Sequence, residues 1–305
     1  MTKEEPPTRL LVLGGDGMLG HQLSKHFSSL PKQFNIRVTL RRDLQAYEHH
    51  KIFNRESSYS GVDVSNFQNL VEVFADFKPH VVINAVGIVK QRPIAEDSLT
   101  SIEINALLPH RLALLCKTVG ARLIHPSTDC VFSGKRGNYS EDDLPDPIDL
   151  YGRSKLLGEV SQSHTLTLRT SIVGLELEHK TGLVEWFLNS PEPVKGFQGA
   201  MYNGLTTIEL SRLIEQLITE FPQLHGLYQV SSEVISKYDL LCLVKEKFGL
   251  TTEIIPDDTF KLDRTLDSSR FREVTGYYPP TWSAMIEAMT EEAKAGQKST
   301  FMKYS

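Results

Sequence analysis

The run Arg9-Leu10-Leu11-Val12-Leu13-Gly14-Gly15-Asp16-Gly17-Met18-Leu19-Gly20 decides how this chain is read. An unbroken apolar stretch has the pattern of a buried strand, and it stops abruptly at two glycines. Gly15, Gly17 and Gly20 have the G-x-G-x-x-G spacing, Gly14 extends it by one position, and an amphipathic pattern over 18–29 predicts a helix directly afterwards. The first glycines permit a turn that residues with a Cβ resist. Bare backbone at Gly17 lets a pyrophosphate approach the N–H groups of the helix N-terminus, and Gly20 lets helix and strand pack closely. Residues Gly14 to Gly20 are therefore the candidate cradle of a dinucleotide.

Outward from this turn, short apolar runs alternate with amphipathic stretches. Strands are expected at 9–13, 36–40, 80–85, 122–126 and 165–170, and helices at 18–29, 66–77, 98–119 and 151–162. That rhythm predicts an α/β fold, a Rossmann-type doubly wound parallel sheet covered by helices. After about residue 175 the pattern loosens, with helices expected at 182–189, 208–220, 237–248 and 281–293. The chain is thus read as a cofactor-binding domain over 1–175 and a smaller C-terminal α/β substrate lobe over 176–305, interleaved at a soft boundary.

Composition narrows the function. The 305 residues are 40% apolar and 23% charged, with 33 basic against 38 acidic side chains and a net charge of −5. That mild acidic excess argues against a dedicated nucleic-acid binder, which needs a clustered basic face. No apolar run approaches the ~20 residues of a membrane span, and no signal-peptide core precedes the first strand. The cytoplasm is the expected compartment. Cys116, Cys130 and Cys242 lie far apart, which fits reduced thiols rather than a disulfide frame or zinc site.

Two further stretches carry chemistry. The second strand ends in Leu40-Arg41-Arg42-Asp43, where two guanidinium groups suit the 2′-phosphate of NADPH; NADH is the alternative, with Asp43 on a ribose. Asp63 and Val64 are candidates to bracket an adenine edge. Tyr151 and Lys155 stand four residues apart at the start of a predicted helix, so phenol and ammonium share a face. A nearby ammonium is expected to draw the phenol's pKa down from ~10 toward the working range of a proton shuttle. Upstream, the strand over 122–126 runs out into Ser127 and Thr128, at the edge where open parallel sheets place active sites. A hydroxyl there could donate to a substrate carbonyl.

With these residues in place the chain resembles the extended short-chain dehydrogenase/reductases, and in particular the dTDP-4-dehydrorhamnose reductase family. The matching pieces are Gly14 to Gly20, the 79–85 strand with Asn84, Ser127-Thr128-Asp129-Cys130 and the residues up to Gly134, the 139–142 stretch, Pro147 to Lys155 with Gly158 and Glu159, Leu168-Arg169-Thr170, Asn203 to Thr207, and Leu266 to Ser268. The resemblance implies a reductase that delivers hydride to the 4-keto group of a nucleotide-linked 6-deoxyhexulose. It implies Thr128, Tyr151 and Lys155 as catalytic residues. Asn84, Ala85, Val86, Gly87, Asn105 and Ser127 would line the cofactor pocket, and Ile88, Asp129, Cys130, Asn203 and Arg264 the substrate side. Arg264 would meet a diphosphate. A homodimer is the assembly frequent in such proteins.

The chain departs from the family at two places. Cys130 stands where tyrosine is common and Ile172 where tryptophan is common, so stacking surface for the sugar nucleotide is lost. Gln22 replaces a glutamate that binds magnesium in some members, so no metal is expected there. A sugar-nucleotide 4-epimerase on the same scaffold and a non-catalytic NADP-binding regulatory subunit are the competing readings.

Overall fold

The computed structural model describes residues 6–89, 96–178, 180–191 and 193–301. Its first half alternates as the apolar rhythm requires: β1 (Thr8–Leu13), α1 (Met18–Ser28), β2 (Phe34–Thr39), a 3-10 turn at Leu44–His50, β3 (Ser58–Tyr59), α2 (Phe67–Phe77), β4 (Val81–Asn84), α3 (Ser98–Ser101), a π-helical segment (Ile102–Leu107), α4 (Leu108–Val119), β5 (Arg122–Pro126), α5 (Leu150–Leu157) and β6 (Thr165–Arg169). The remainder contributes β7 (Ile172–Val173), α6 (Leu183–Leu188), β8 (Val194–Tyr202), β9 (Leu205–Thr206), α7 (Thr207–Thr219), β10 (Gly226–Gln229), β11 (Ile235–Ser236), α8 (Lys237–Phe248), β12 (Ile254–Asp263), α9 (Ser269–Thr275) and α10 (Trp282–Phe301).

A seven-stranded sheet has the order β10-β6-β5-β4-β1-β2-β3. β1 lies at its centre, paired in parallel with β2 (Leu10↔Ile36, Val12↔Val38) and β4 (Leu10↔Val81, Leu13↔Asn84). Neighbours on both sides and cover on both faces leave Leu10 to Leu13 wholly buried, which is why this strand reads as an unbroken apolar run rather than an alternation. Leu11, Leu13, Val82 and Leu123 pack with Leu70 and Phe74 of α2 and with Leu112 and Cys116 of α4. Burial pushes the Cys116 thiol up to about 12, consistent with an inert packing residue. Among the described residues no helix is long and apolar enough to cross a membrane.

Two predicted helices differ in detail. The 98–119 helix carries the π segment at Ile102–Leu107, an inserted residue that periodicity alone does not register. The 151–162 helix begins at Leu150 and stops at Leu157, with Gly158 as its C-cap, a position kept bare by the Asn105 carbonyl oxygen, which would lie 2.0 Å from a Cβ there. In the later region the structure adds β8 and β12, a long parallel pair from Ile254↔Val194 to Asp263↔Met201. β12 is exposed at most positions, so it lacks the apolar alternation that announces a strand.

The chain forms two compact units, each assembled from three segments. The first holds 1–133, 144–169 and 211–228, and the second 134–143, 170–210 and 229–305. A single boundary near residue 175 does not describe this division, because the chain returns after it to supply β10 to the seven-stranded sheet.

Candidate active site

The glycine turn between β1 and α1 is built by sterics. Gly14 has a left-handed φ of +79°, and a Cβ there would lie 2.9 Å from Val86. A Cβ on Gly15 would meet Val38 at 2.8 Å, and one on Gly20 would fall 1.9 Å from the Gly14 carbonyl oxygen. Gly14 and Gly15 donate their N–H groups to the Thr39 side chain (3.0 Å) and carbonyl (2.8 Å), fixing the turn against β2. Gly17 differs from the other three. Its φ of −73° suits any residue, and the nearest protein atom to its Cβ position is 3.4 Å away. Neither backbone nor packing requires glycine here, so the bare approach to the start of α1 remains as its reason. No side chain caps that helix N-terminus, whose N–H groups and dipole favour a phosphate. Met18 and Leu19 form its first turn.

Around this turn the predicted cofactor residues separate by environment. Tyr47, wholly buried in the 3-10 turn after β2, donates to Asp16 Oδ2 at 2.8 Å. It accepts from Arg42 Nε at 3.3 Å, and the Arg42 guanidinium lies 4.7 Å from its ring centroid. Sequence reading missed Tyr47; an aromatic five residues beyond the arginine pair was its signal. Arg41 is exposed, and its charge reaches Asp63. The Asp63 carboxyl is held below the usual range first by the Ser65 N–H and more weakly by Arg41. Val64 and Val86 pack against Ile88 and Ile104.

Beyond β4, Asn84 is buried, accepts from the Val86 N–H (3.2 Å) and meets His125 Nδ1 (3.2 Å). Ala85 donates its N–H to the Leu13 carbonyl at 3.0 Å. Asn105, carried by the π segment, grips Ile88 through both main-chain groups: its Oδ1 accepts from Ile88 N at 2.9 Å and its Nδ2 donates to Ile88 O at 3.0 Å. The same Nδ2 lies 3.2 Å from Ser154 Oγ, so one buried amide ties the loop after β4 to α5. Gly87, in that loop, is exposed.

α5 begins on an Asp149 cap, whose carboxylate accepts from the Gly152 N–H at 2.7 Å. Gly152 is needed for close approach, since a Cβ would lie 2.2 Å from the Cys130 carbonyl oxygen. This approach sets Tyr151 beside the turn carrying Thr128, Asp129 and Cys130. Thr128 Oγ1 accepts from the Cys130 N–H (3.1 Å), leaving its proton for Asp129 Oδ1 (3.1 Å) or the Tyr151 oxygen. Burial raises the Tyr151 pKa, and Cys130 adds to the rise against the lowering hydrogen bond from Thr128. The expected downward pull therefore gives way to a raised value, and the phenol is protonated at neutral pH. Lys155 donates to the Pro126 carbonyl at 2.8 Å; burial pulls its pKa down to about 8, opposed by Glu159. His125, under the site, is held neutral by burial and then by the Lys155 charge.

Ser127 is wired differently from Thr128. Its hydroxyl donates to Glu159 Oε1 at 2.8 Å, and Glu159 receives Arg169 at 2.8 Å on each oxygen. The Ser127 proton is therefore committed away from any carbonyl, contrary to a donor role. In the second unit, Asn203 engages both main-chain groups of Leu266, at 2.9 and 3.0 Å. Arg264 is buried, with its Cγ 2.9 Å from the position of a Gly134 Cβ.

Comparison with known proteins places this geometry. Methionine adenosyltransferase 2 subunit beta of Xenopus tropicalis is 25% identical over 97% of this chain and 85% of its own length. The crystal structure of a hypothetical dTDP-4-dehydrorhamnose reductase from Sulfolobus tokodaii matches with a TM-score of 0.73 and 28% identity, covering 90% of this chain and 98% of that one. A dTDP-4-dehydrorhamnose reductase from Bacillus anthracis in complex with NADP has a TM-score of 0.76 over 93% of this chain and 99% of that one; at 22% identity it speaks for the fold. The family model for the RmlD substrate binding domain spans residues 8–295, and the chain, with its seven-stranded Rossmann-type sheet, belongs to that family.

Proposed function

We propose that this protein holds NADPH on its glycine turn and reduces the carbonyl of a nucleotide-linked 4-keto-6-deoxy sugar, with Tyr151 as proton donor. The observation that carries this reading is the meeting of Thr128, Tyr151 and Lys155 at the carboxyl end of β5, in the compact unit that also carries the glycine turn. Gly17 and the N–H groups of α1 would hold the pyrophosphate, Arg41 and Arg42 the 2′-phosphate, and Asn84 to Gly87 with Asn105 the nicotinamide end. The dinucleotide supplies the hydride.

The protein supplies the proton and the electrostatics. Its raised pKa keeps the Tyr151 phenol protonated, as a donor to a developing alkoxide must be. Once that proton leaves, the Thr128 hydroxyl donates to the phenolate, and the Lys155 ammonium balances its charge four residues along the same helix. With a pKa of about 8, Lys155 is mostly charged at neutral pH. Asp129 and Cys130 flank the same turn and would face the sugar.

The relationship to methionine adenosyltransferase beta subunits favours one second reading, a dinucleotide-binding regulatory subunit. Purified protein, NADPH and NADH, and a panel of dTDP-, UDP- and GDP-linked 4-keto sugars separate the two. Cofactor oxidation with one keto sugar, faster with NADPH and lost in Tyr151→Phe, is the expected result. NADPH binding without oxidation across the panel would overturn the reductase reading in favour of the regulatory one, while sugar interconversion without net oxidation marks an epimerase.

A further inference from the structure

Two adjacent hydroxyls at the end of β5 each have a carboxylate within reach, Ser127 that of Glu159 at 2.8 Å and Thr128 that of its chain neighbour Asp129 at 3.1 Å, and the partner of Ser127 is held in place at the far end of α5. Glu159 follows the Gly158 cap of that helix, and its side chain is 8% exposed against 6% for Arg169. Arg169 reaches Glu159 Oε1 through Nε and Oε2 through Nη2, both at 2.8 Å. Its guanidinium carbon also lies 5.3 Å from the centroid of the Phe132 ring. A carboxylate paired this way only accepts, so the proton in the 2.8 Å contact between Ser127 Oγ and Glu159 Oε1 belongs to the serine. Ser127 then has only lone pairs for anything else it meets. Thr128, whose lone pair takes the Cys130 N–H, divides its proton between Asp129 Oδ1, in a longer 3.1 Å contact, and the Tyr151 oxygen, so it is the hydroxyl that reaches the tyrosine as a donor.

We propose that Glu159, braced by Arg169, is a positioning residue that fixes Ser127 as a hydrogen-bond acceptor, so that Ser127 recognises a donor N–H or O–H on the bound dinucleotide or sugar while Thr128 and Tyr151 supply the donors. This rests on the reading of the site as a reductase centre, which it refines by dividing the two hydroxyls between opposite tasks. A buried ion pair alone is a poor source of stability, because desolvation offsets its Coulomb gain. Its connection to Ser127 gives this pair a role beside the reaction site. Glu159 also opposes the fall of the Lys155 pKa, which places its charge within reach of the same centre.

A double-mutant cycle tests the proposal, because it asks whether Glu159 acts through Ser127. Glu159→Gln, Ser127→Ala and the double variant are compared for NADPH dissociation constant, by fluorescence titration, and for kcat and KM with whichever keto sugar is turned over. In Glu159→Gln the amide can turn its NH2 to Ser127 and reverse the serine's polarity. The expected result is at least a fivefold loss from Glu159→Gln in one of these readouts, shrinking below twofold once Ser127→Ala is present. An equal loss in both backgrounds, or no loss in either, overturns the proposal and leaves Glu159 a structural residue. Where Glu159→Gln does not fold, Glu159→Asp carries the same cycle: it keeps a charge for Arg169 but draws the oxygen back by one methylene from Ser127. If no keto sugar is turned over, the reductase reading fails separately, and the NADPH titration alone decides the coupling.

Discussion

The glycine turn and the cluster around Tyr151 sit on one sheet, yet they are built by different means. In the turn, Gly14, Gly15 and Gly20 are dictated by contacts with Val86, Val38 and the chain's own carbonyl, and the candidate ligand contacts are backbone N–H groups. In the cluster, side chains do the holding: Asp149 caps α5, Asn105 grips the Ile88 main chain and donates toward Ser154, and Glu159 accepts from the Ser127 hydroxyl. One region is specified by what must be missing, and the other by which groups are already engaged. The first tolerates no added atom at Gly14, Gly15 or Gly20. The second tolerates a change of shape better than a change of hydrogen-bonding polarity.

The sharpest way to break this comparison is at Tyr151. Tyr151→Phe removes one oxygen from the cluster and nothing from the turn. Turnover is expected to fall by about a thousandfold, as for loss of a positioned proton donor, with NADPH binding within twofold of the parent in a fluorescence titration. A matching loss of binding would merge the two regions into one. The turn itself is split by a pair of substitutions. Gly20→Ala forces a Cβ onto the Gly14 carbonyl and is expected to cost about 3 kcal/mol, seen as a Tm lower by roughly 5 °C or more. Gly17→Ala meets no protein atom closer than 3.4 Å, so Tm should hold while NADPH binding weakens by about tenfold. Equal thermal losses in the two variants would remove Gly17 from the ligand's path.

A pH series sharpens the cluster. In its proposed role Lys155 acts as an ammonium, and with its pKa near 8, kcat should decline as pH rises through about 8. Stability moves the other way for this group. Its folded pKa lies below the ordinary 10.5, so the unfolded chain binds the proton more tightly, and Lys155 adds to stability as pH climbs from about 8 to 10.5. A kcat profile flat to pH 10 would sink the assignment. The smallest expected effect is at the rim of the turn, where Arg42→Ala should reduce the preference for NADPH over NADH by about fivefold, near 1 kcal/mol. Tyr47→Phe should follow in the same direction and more weakly, since it releases one bond to that guanidinium.

The same contrast explains what could be read in the sequence. The glycine spacing, the apolar strands and the Tyr151–Lys155 pair are local in the chain, so β1 through α5 and the glycine turn between β1 and α1 were legible. Glu159 and Tyr47 act across gaps of 32 and 31 residues, on Ser127 and on Asp16, with Arg169 reaching Glu159 from ten residues further on, and no spacing rule reports such partners. The sign of the Tyr151 shift was misjudged because charge can be seen in the sequence and burial cannot. β12 escaped because its exposed, charged residues carry no period of two.

The return of the chain to complete the seven-stranded sheet has a consequence for dissecting this protein. A chain cut after residue 175 would keep every residue proposed for the dinucleotide but lose β10, leaving the edge of β6 with unpaired main-chain groups. It would also strip Arg122 of the Leu217 and Leu224 carbonyls that its guanidinium holds at 2.7 Å, stranding a half-buried cation. Such a fragment is expected to self-associate through that raw edge rather than persist as a soluble nucleotide-binding module. Insolubility of the fragment would therefore report a broken sheet margin, not a requirement of the dinucleotide for the other unit.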